Sequence, residues 1–148
     1  LKGNIDSLDR GIIQLLSQDG RMSFTEIANR LEVTEKTVRS RYKNLVETGI
    51  IDVVGIVNPI SLGLKVAAII QLAAASNQLT HIVEQVKQYK EVRYVSLITG
   101  EYQVLLQVNM KTYDELTEFI KRINGILGIT KSNVIIQLEI NKNTFDLS

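Results

Sequence analysis

The sequence predicts an α+β protein in two parts: an N-terminal trihelical (winged) helix-turn-helix domain, then a ferredoxin-like βαββαβ domain. Three observations predict it. Residues 23–49 hold two short amphipathic helical patterns with a tight turn between them. The positive charge of the first part is concentrated on the second of those patterns. Residues 64–148 then alternate between strand and helix periodicities in the order β-α-β, β-α-β.

The opening helix rests on Ile5, Leu8, Ile12, Ile13, Leu15 and Leu16, which recur at helical spacing. Asp6 or Ser7 can cap it, Asp9 suits the positive end of its dipole, and Gly20 ends it. In the next helix Ser23 is the cap and Glu26 stands where a capping box has its reciprocal partner. Ile27, Ala28 and Leu31 form its apolar side, and Glu32 and Val33 make the turn. Thr34 caps the following helix, whose stripe is Val38, Tyr42, Leu45 and Val46. Gly49 ends it, as a residue that takes positive φ without strain.

Between Thr34 and Lys43 the cations Lys36, Arg39, Arg41 and Lys43 face Glu35 alone, a local balance of +3. Residues 1–63 carry eight basic and eight acidic side chains, so this charge is placed rather than spread. A basic helix in a helix-turn-helix pairs with phosphates while polar side chains reach base edges in the major groove of double-stranded DNA. The candidate contacts are Thr34, Lys36, Thr37, Arg39, Ser40, Arg41 and Lys43. Lys36 and Lys43 suit phosphates, Arg39 or Ser40 a base edge, and Arg41 packing within its own domain as much as DNA. The competing reading is a solvated helix in a small helical domain.

Residues 50–57 are rich in β-branched side chains, and Asn58-Pro59 and Leu62-Gly63 punctuate residues 58–63. The segment reads as a short wing hairpin or a linker strand that pairs elsewhere, including with a second subunit. The expected domains are therefore 1–50, a linker strand 51–63, and 64–148.

Composition excludes several classes. The chain of 148 residues has no cysteine and one histidine. Disulfides, thiolate metal sites and cysteine nucleophiles are absent, and a zinc centre or histidine triad is not expected. No cofactor is implied and no acid, base and nucleophile converge, so an enzyme is not expected. The apolar run 66–75 is broken by Gln71 and is too short to span a bilayer. The opening Leu1-Lys2-Gly3-Asn4-Ile5-Asp6 does not read as a secretion signal, so a cytoplasmic location and no membrane partner are expected.

In the second part, strands are expected over 65–72, 92–99, 102–110 and 132–140, and helices over 77–89 and 112–124. Leu79, Ile82, Val83 and Val86 face inward from the first helix, and Tyr113, Leu116, Phe119, Ile120 and Ile123 from the second. Two helices then cover one face of a four-stranded antiparallel sheet. The other face is expected to carry Val95, Leu97, Leu105 and Ile135 beside Gln103, Gln107, Asn109 and Gln137. That mixture suits a homodimer packed sheet to sheet. His81 reads as a solvated residue. Thr99, Gly100, Glu101, Tyr102 and Gln103 form the candidate ligand loop: Gly100 frees the backbone, nearby amides suit a carboxylate, and Glu101 suits an ammonium group. Spacing alone favours a plain hairpin turn; the ligand role gains its weight from a family resemblance.

The assembled pattern resembles the Lrp/AsnC, or feast/famine, family of prokaryotic transcription regulators. Ile5-Asp6, Asp9, Ile12-Ile13 and Leu16 resemble the signature of its first helix. Glu26-Ile27-Ala28, Leu31, Val33, Thr37-Val38, Arg41, Leu45, Gly49 and Ile50-Ile51 resemble its helix-turn-helix. Asn58-Pro59 and Leu62-Gly63 resemble its linker, and residues 95–106, VSLITGEYQVLL, the turn region of its effector domain. The resemblance implies a sequence-specific regulator whose second domain is an effector/oligomerisation domain. It implies homodimers through that domain and the linker strands, assembling to tetramers or octamers, with an amino acid bound near the turns. Where the family's pattern is Gly-Asp-Tyr-Asp, this chain reads Gly-Glu-Tyr-Gln. A neutral amide at Gln103 fits a polar ligand such as glutamine, a basic one, or none. The alternatives are an amino-acid-binding regulatory module and an architectural DNA-binding protein without a specific effector.

Overall fold

The computed structural model describes residues 4–147. The opening Leu1-Lys2-Gly3, part of the stretch read for a signal segment, lies outside the described residues. The chain divides into two compact units, one running to Ile56 together with the segment from Lys142, the other Val57–Asn141.

The first unit is built from α1 (Ser7–Gln18), α2 (Phe24–Leu31) and α3 (Glu35–Glu47). Asp6 caps α1 by accepting from the Asp9 amide at 2.9 Å, and the Asp9 carboxylate accepts from the Asp6 amide, so the capping box stands here. At α2 the box expected from Glu26 is half made. Ser23 accepts from the Glu26 amide at 3.1 Å, but the Glu26 carboxylate takes Arg30 at 2.6 Å, one turn along its own helix. Glu32 at φ 55° then turns the chain sharply into α3. Ile12, Leu16, Ile27, Ala28, Val38 and Leu45 close the core, with Tyr42 packed against it and Val46 left exposed. Residues 51–58 make no wing hairpin among the described residues.

The second unit runs β1 (Val66–Ala74), α4 (Leu79–Val86), β2 (Val92–Leu97), β3 (Val104–Met110), α5 (Tyr113–Asn124) and β4 (Ile129–Ile136). The sheet order is β2-β3-β1-β4, with every neighbouring pair antiparallel. This is the ferredoxin-like arrangement expected from the alternation. Val66, Ala68, Ile70 and Leu72 of β1 and Val104, Leu106, Val108 and Met110 of β3 meet Ile82, Val86, Leu116, Phe119 and Ile123 from the helices. Element ends shift from expectation by one to four residues, β2 ending at Leu97 and β3 starting at Val104, and the largest shift is at β4. β4 begins three residues earlier and ends at Ile136, so Leu138 and Ile140 lie beyond it and exposed. Tyr113, the first residue of α5, is also exposed rather than inward, and the buried face of the helix starts at Leu116.

Register corrects the expected open face. Val95 stands opposite Leu106 and Leu97 opposite Val104, so both lie on the helix side of the sheet, where Val95 packs on the core and Leu97, at the strand end, stays exposed. A bulge between Val92 and Tyr94 shifts the alternation by one residue. Tyr94 and Ser96 take their places on the open face. There the rows Ile135–Ile69–Gln107–Tyr94 and Asn133–Gln71–Leu105–Ser96 run across the sheet. The Asn133 amide donates to Gln71 Oε1 at 3.0 Å within the second row.

Candidate nucleic-acid interface and ligand loop

Helix α3 displays its cations on one side. Lys36, Arg39, Ser40 and Lys43 are three or four residues apart, all exposed, opposite the buried Val38 and Leu45. Thr34 Oγ1 accepts from the Thr37 amide at 3.2 Å and shares a hydrogen bond with Thr37 Oγ1 at 2.9 Å, so both threonines build the helix start. Glu35 accepts from Thr25 Oγ1 at 2.9 Å and from Arg39 Nη2 at 2.6 Å. Those two bonds, the Thr25 hydroxyl first and Arg39 second, hold the Glu35 carboxyl below its ordinary value. The Arg39 guanidinium also lies 5.4 Å from the Phe24 ring centroid, and Phe24 packs 5.0 Å from Tyr42. Arg39 is thus oriented from two sides yet remains exposed. Lys43 Nζ is 3.9 Å from Glu47, a loose solvated pair.

Arg41 stands apart from this stripe. Its Nη1 donates to Asp6 Oδ2 at 2.6 Å and to Asp9 Oδ1 at 3.2 Å, tying α3 to the cap of α1. Asp9 is buried, so Arg41 answers the one buried charge among the described residues of this core. The Asp9 amide first, and Arg41 next, hold the Asp6 carboxyl below its ordinary value. A depressed carboxylate stabilises the fold fully above its unfolded pKa of about 3.9 and loses that contribution as pH falls through the folded value. Asp6→Asn keeps the cap acceptor but removes the charge. Amide exchange in α1 is expected to be slower in the wild type than in this variant at pH 6, and the difference should close toward pH 2. A difference that ignores pH would contradict the assignment.

The ligand loop joins β2 to β3 at one end of the sheet. Gly100 has φ +108° with open space where a side chain would stand, so a bulkier residue is strained here for backbone reasons alone. Gln103 is spent inside the loop. Its Oε1 accepts from the Ala74 amide at 3.0 Å, and its Nε2 donates to the Gly100 and Glu101 carbonyls at 3.1 and 3.2 Å. Its own amide donates to the Leu72 carbonyl at 2.9 Å. Glu101 and Thr99 are exposed, and Tyr102 is half-buried. Lys131 of β4, which no sequence pattern singles out, forms an ion pair with Glu101 and lies 5.2 Å from the Tyr102 ring centroid. His81 is exposed on α4. Among the described residues no group of three or more His, Cys, Asp or Glu side chains is placed to hold a metal. No helix among them is long and apolar enough to cross a membrane.

The described residues thus combine a helix-turn-helix that carries a cationic exposed face with a ferredoxin-like domain that carries a braced turn, and the matching families make this the class of DNA-binding regulators with an effector-binding domain. The profile of the AsnC-type helix-turn-helix domain matches residues 5–46, and that of the Lrp/AsnC ligand binding domain matches residues 67–147. The chain belongs to the Lrp/AsnC family of transcriptional regulators, and is a DNA-binding protein rather than an enzyme. It is 34% identical to an uncharacterized HTH-type transcriptional regulator of Pyrococcus horikoshii, over 95% of this chain and 90% of the relative. It is 28% identical to the HTH-type transcriptional regulator FL11 of Pyrococcus furiosus, over 99% of this chain and 98% of that one. Among solved structures it is similar to E. coli AsnC, with a TM-score of 0.87 and 26% identity over 95% of this chain and 97% of that one. The Neisseria meningitidis regulator NMB0573, solved as a complex with L-Met, has the same fold with a TM-score of 0.89 and 23% identity, over 98% and 97% of the two chains.

Proposed function

We propose that this chain is a sequence-specific transcription regulator that senses an amino acid at the β2–β3 loop and answers by changing its dimer or higher-oligomer arrangement. The observation that carries the reading is the braced loop. Gln103 Nε2 holds the backbone of Gly100 and Glu101 and its Oε1 ties the loop to the Ala74 amide, while the Glu101 side chain stays exposed at the tip. A turn held this firmly, with an open glycine and an acidic group, is preorganised for a small ligand. The L-Met complex of a protein with the same fold supports an amino acid as the ligand class.

On the DNA side, Lys36 and Lys43 take phosphates, Arg39 or Ser40 a base edge, and Thr34 and Thr37 set the helix start against the backbone. Arg41 serves as the clamp between α3 and α1. The open sheet face, with Tyr94, Leu105 and Ile135 among Gln71, Gln107 and Asn133, supports pairing of two copies, assembling further to tetramers or octamers. A ligand that prefers one assembly shifts the population toward it and so changes operator occupancy.

Calorimetry with each of the twenty amino acids tests the effector. Saturable heat is expected from one or a few, with a matching change in sedimentation. Absence of heat from all of them, with unchanged sedimentation, would remove the effector and leave an architectural DNA binder.

A further inference from the structure

We propose that Lys131 is the second charged arm of the effector site, the cation that takes the carboxylate of an α-amino acid whose ammonium group is held by Glu101. This rests on the effector reading above and adds to it the residue that recognises the acid end.

Lys131 lies thirty positions from Glu101 in the sequence, but the β1–β4 ladder sets it opposite Ala73, at the end of β1. The Ala74 amide and the Leu72 carbonyl of that same strand end hold Gln103. The register of the sheet therefore delivers a lysine to the acidic tip of the loop.

The pair is built for exchange. Only Oε1 of Glu101 takes Lys131, and side-chain exposures of 66% and 48% leave the remaining oxygen and N–H groups facing solvent. A solvated surface pair contributes little by itself, so opening it to admit a ligand costs little. Tyr102 keeps the ammonium close when the pair opens, because its ring lies 5.2 Å from Lys131 Nζ. The Glu101 carboxylate raises the proton affinity of Lys131, so the arm stays cationic.

An α-amino acid carries the same two charges in the reverse order, with one carbon between them. Seated between Glu101 and Lys131, it replaces one intramolecular pair with two charge-assisted pairs. The open space over Gly100 lets the ligand approach the backbone. A ligand with only an ammonium group gains one arm and must break the existing pair to do so. The site thus selects zwitterions over amines and over acids without an ammonium group.

The test is calorimetry on the full chain with the twenty amino acids, followed by the carboxamide of whichever binds. Wild type is expected to prefer the acid over its carboxamide about ten-fold or more. Lys131→Gln should weaken the acid by a similar factor and abolish the preference, and Lys131→Arg should retain it. Glu101→Gln should weaken acid and carboxamide alike. If Lys131→Gln keeps the preference, or binds the acid as tightly as wild type or tighter, the proposal is overturned while the effector reading stands. If neither wild type nor any variant binds an amino acid, the effector reading falls and this proposal with it.

Discussion

Phe119→Ala is expected to destabilise the βαββαβ unit by about 3–5 kcal/mol. The ring is fully buried at the middle of α5, among Ile82, Val86, Leu106 and Ile123. It meets Tyr89 edge-on at 5.6 Å, and the Arg122 guanidinium lies 5.4 Å from its centroid. Truncation removes the transfer free energy of the ring and leaves a cavity that the sheet cannot close. Against a domain stability of roughly 5–15 kcal/mol the loss is large. Tyr113→Ala is the comparison: that ring stands on the same helix but is exposed, so a change within about 0.5 kcal/mol is expected. Urea unfolding of both variants checks the pair. Equal losses would contradict the placement of α5.

Arg39→Ala is expected to weaken binding to a cognate operator about ten- to a hundred-fold and to narrow the gap between operator and unrelated DNA. Arg39 is the best-oriented exposed cation on α3, aimed by Glu35 on one side and Phe24 on the other. An oriented guanidinium loses less freedom on engaging a base edge than a free lysine does. Lys36→Ala, which removes a proposed phosphate contact, should instead weaken operator and unrelated DNA alike and reduce the salt slope by about one unit. Anisotropy titrations at several salt concentrations separate the two patterns. An Arg39→Ala variant that loses affinity equally for both DNAs would reassign Arg39 to the backbone.

The order of elements was legible because each carries its own period: helical spacing in α1, α3, α4 and α5, and alternation in β3 and in residues 133–136 of β4. What was hidden lay in register and long-range pairing. The bulge at Arg93 reverses which side Val95 and Leu97 face, and no local pattern announces an extra residue in a strand. Glu26 had the spacing of a capping box, but Arg30 one turn later offered a stronger, charged partner. The stripe Lys36, Arg39, Ser40 and Lys43 could be read from helical spacing, and the same spacing set Arg41 off to the side. Only the packing of α3 on α1 shows that Arg41 ends on Asp6 and Asp9. The loop 99–103 was visible as a turn, whereas Lys131 reaches it solely through the β1–β4 ladder.

The most direct measurement is an anisotropy titration of the full chain on a fragment of its own promoter and on scrambled DNA. It is run at two salt concentrations, with and without a pool of amino acids. A ligand-responsive regulator binds the promoter more tightly, is weakened by salt on both DNAs, and changes affinity when the pool is added. Equal, weak binding to both DNAs, unmoved by the pool, would contradict that function and leave the cationic face of α3 as a solvated surface.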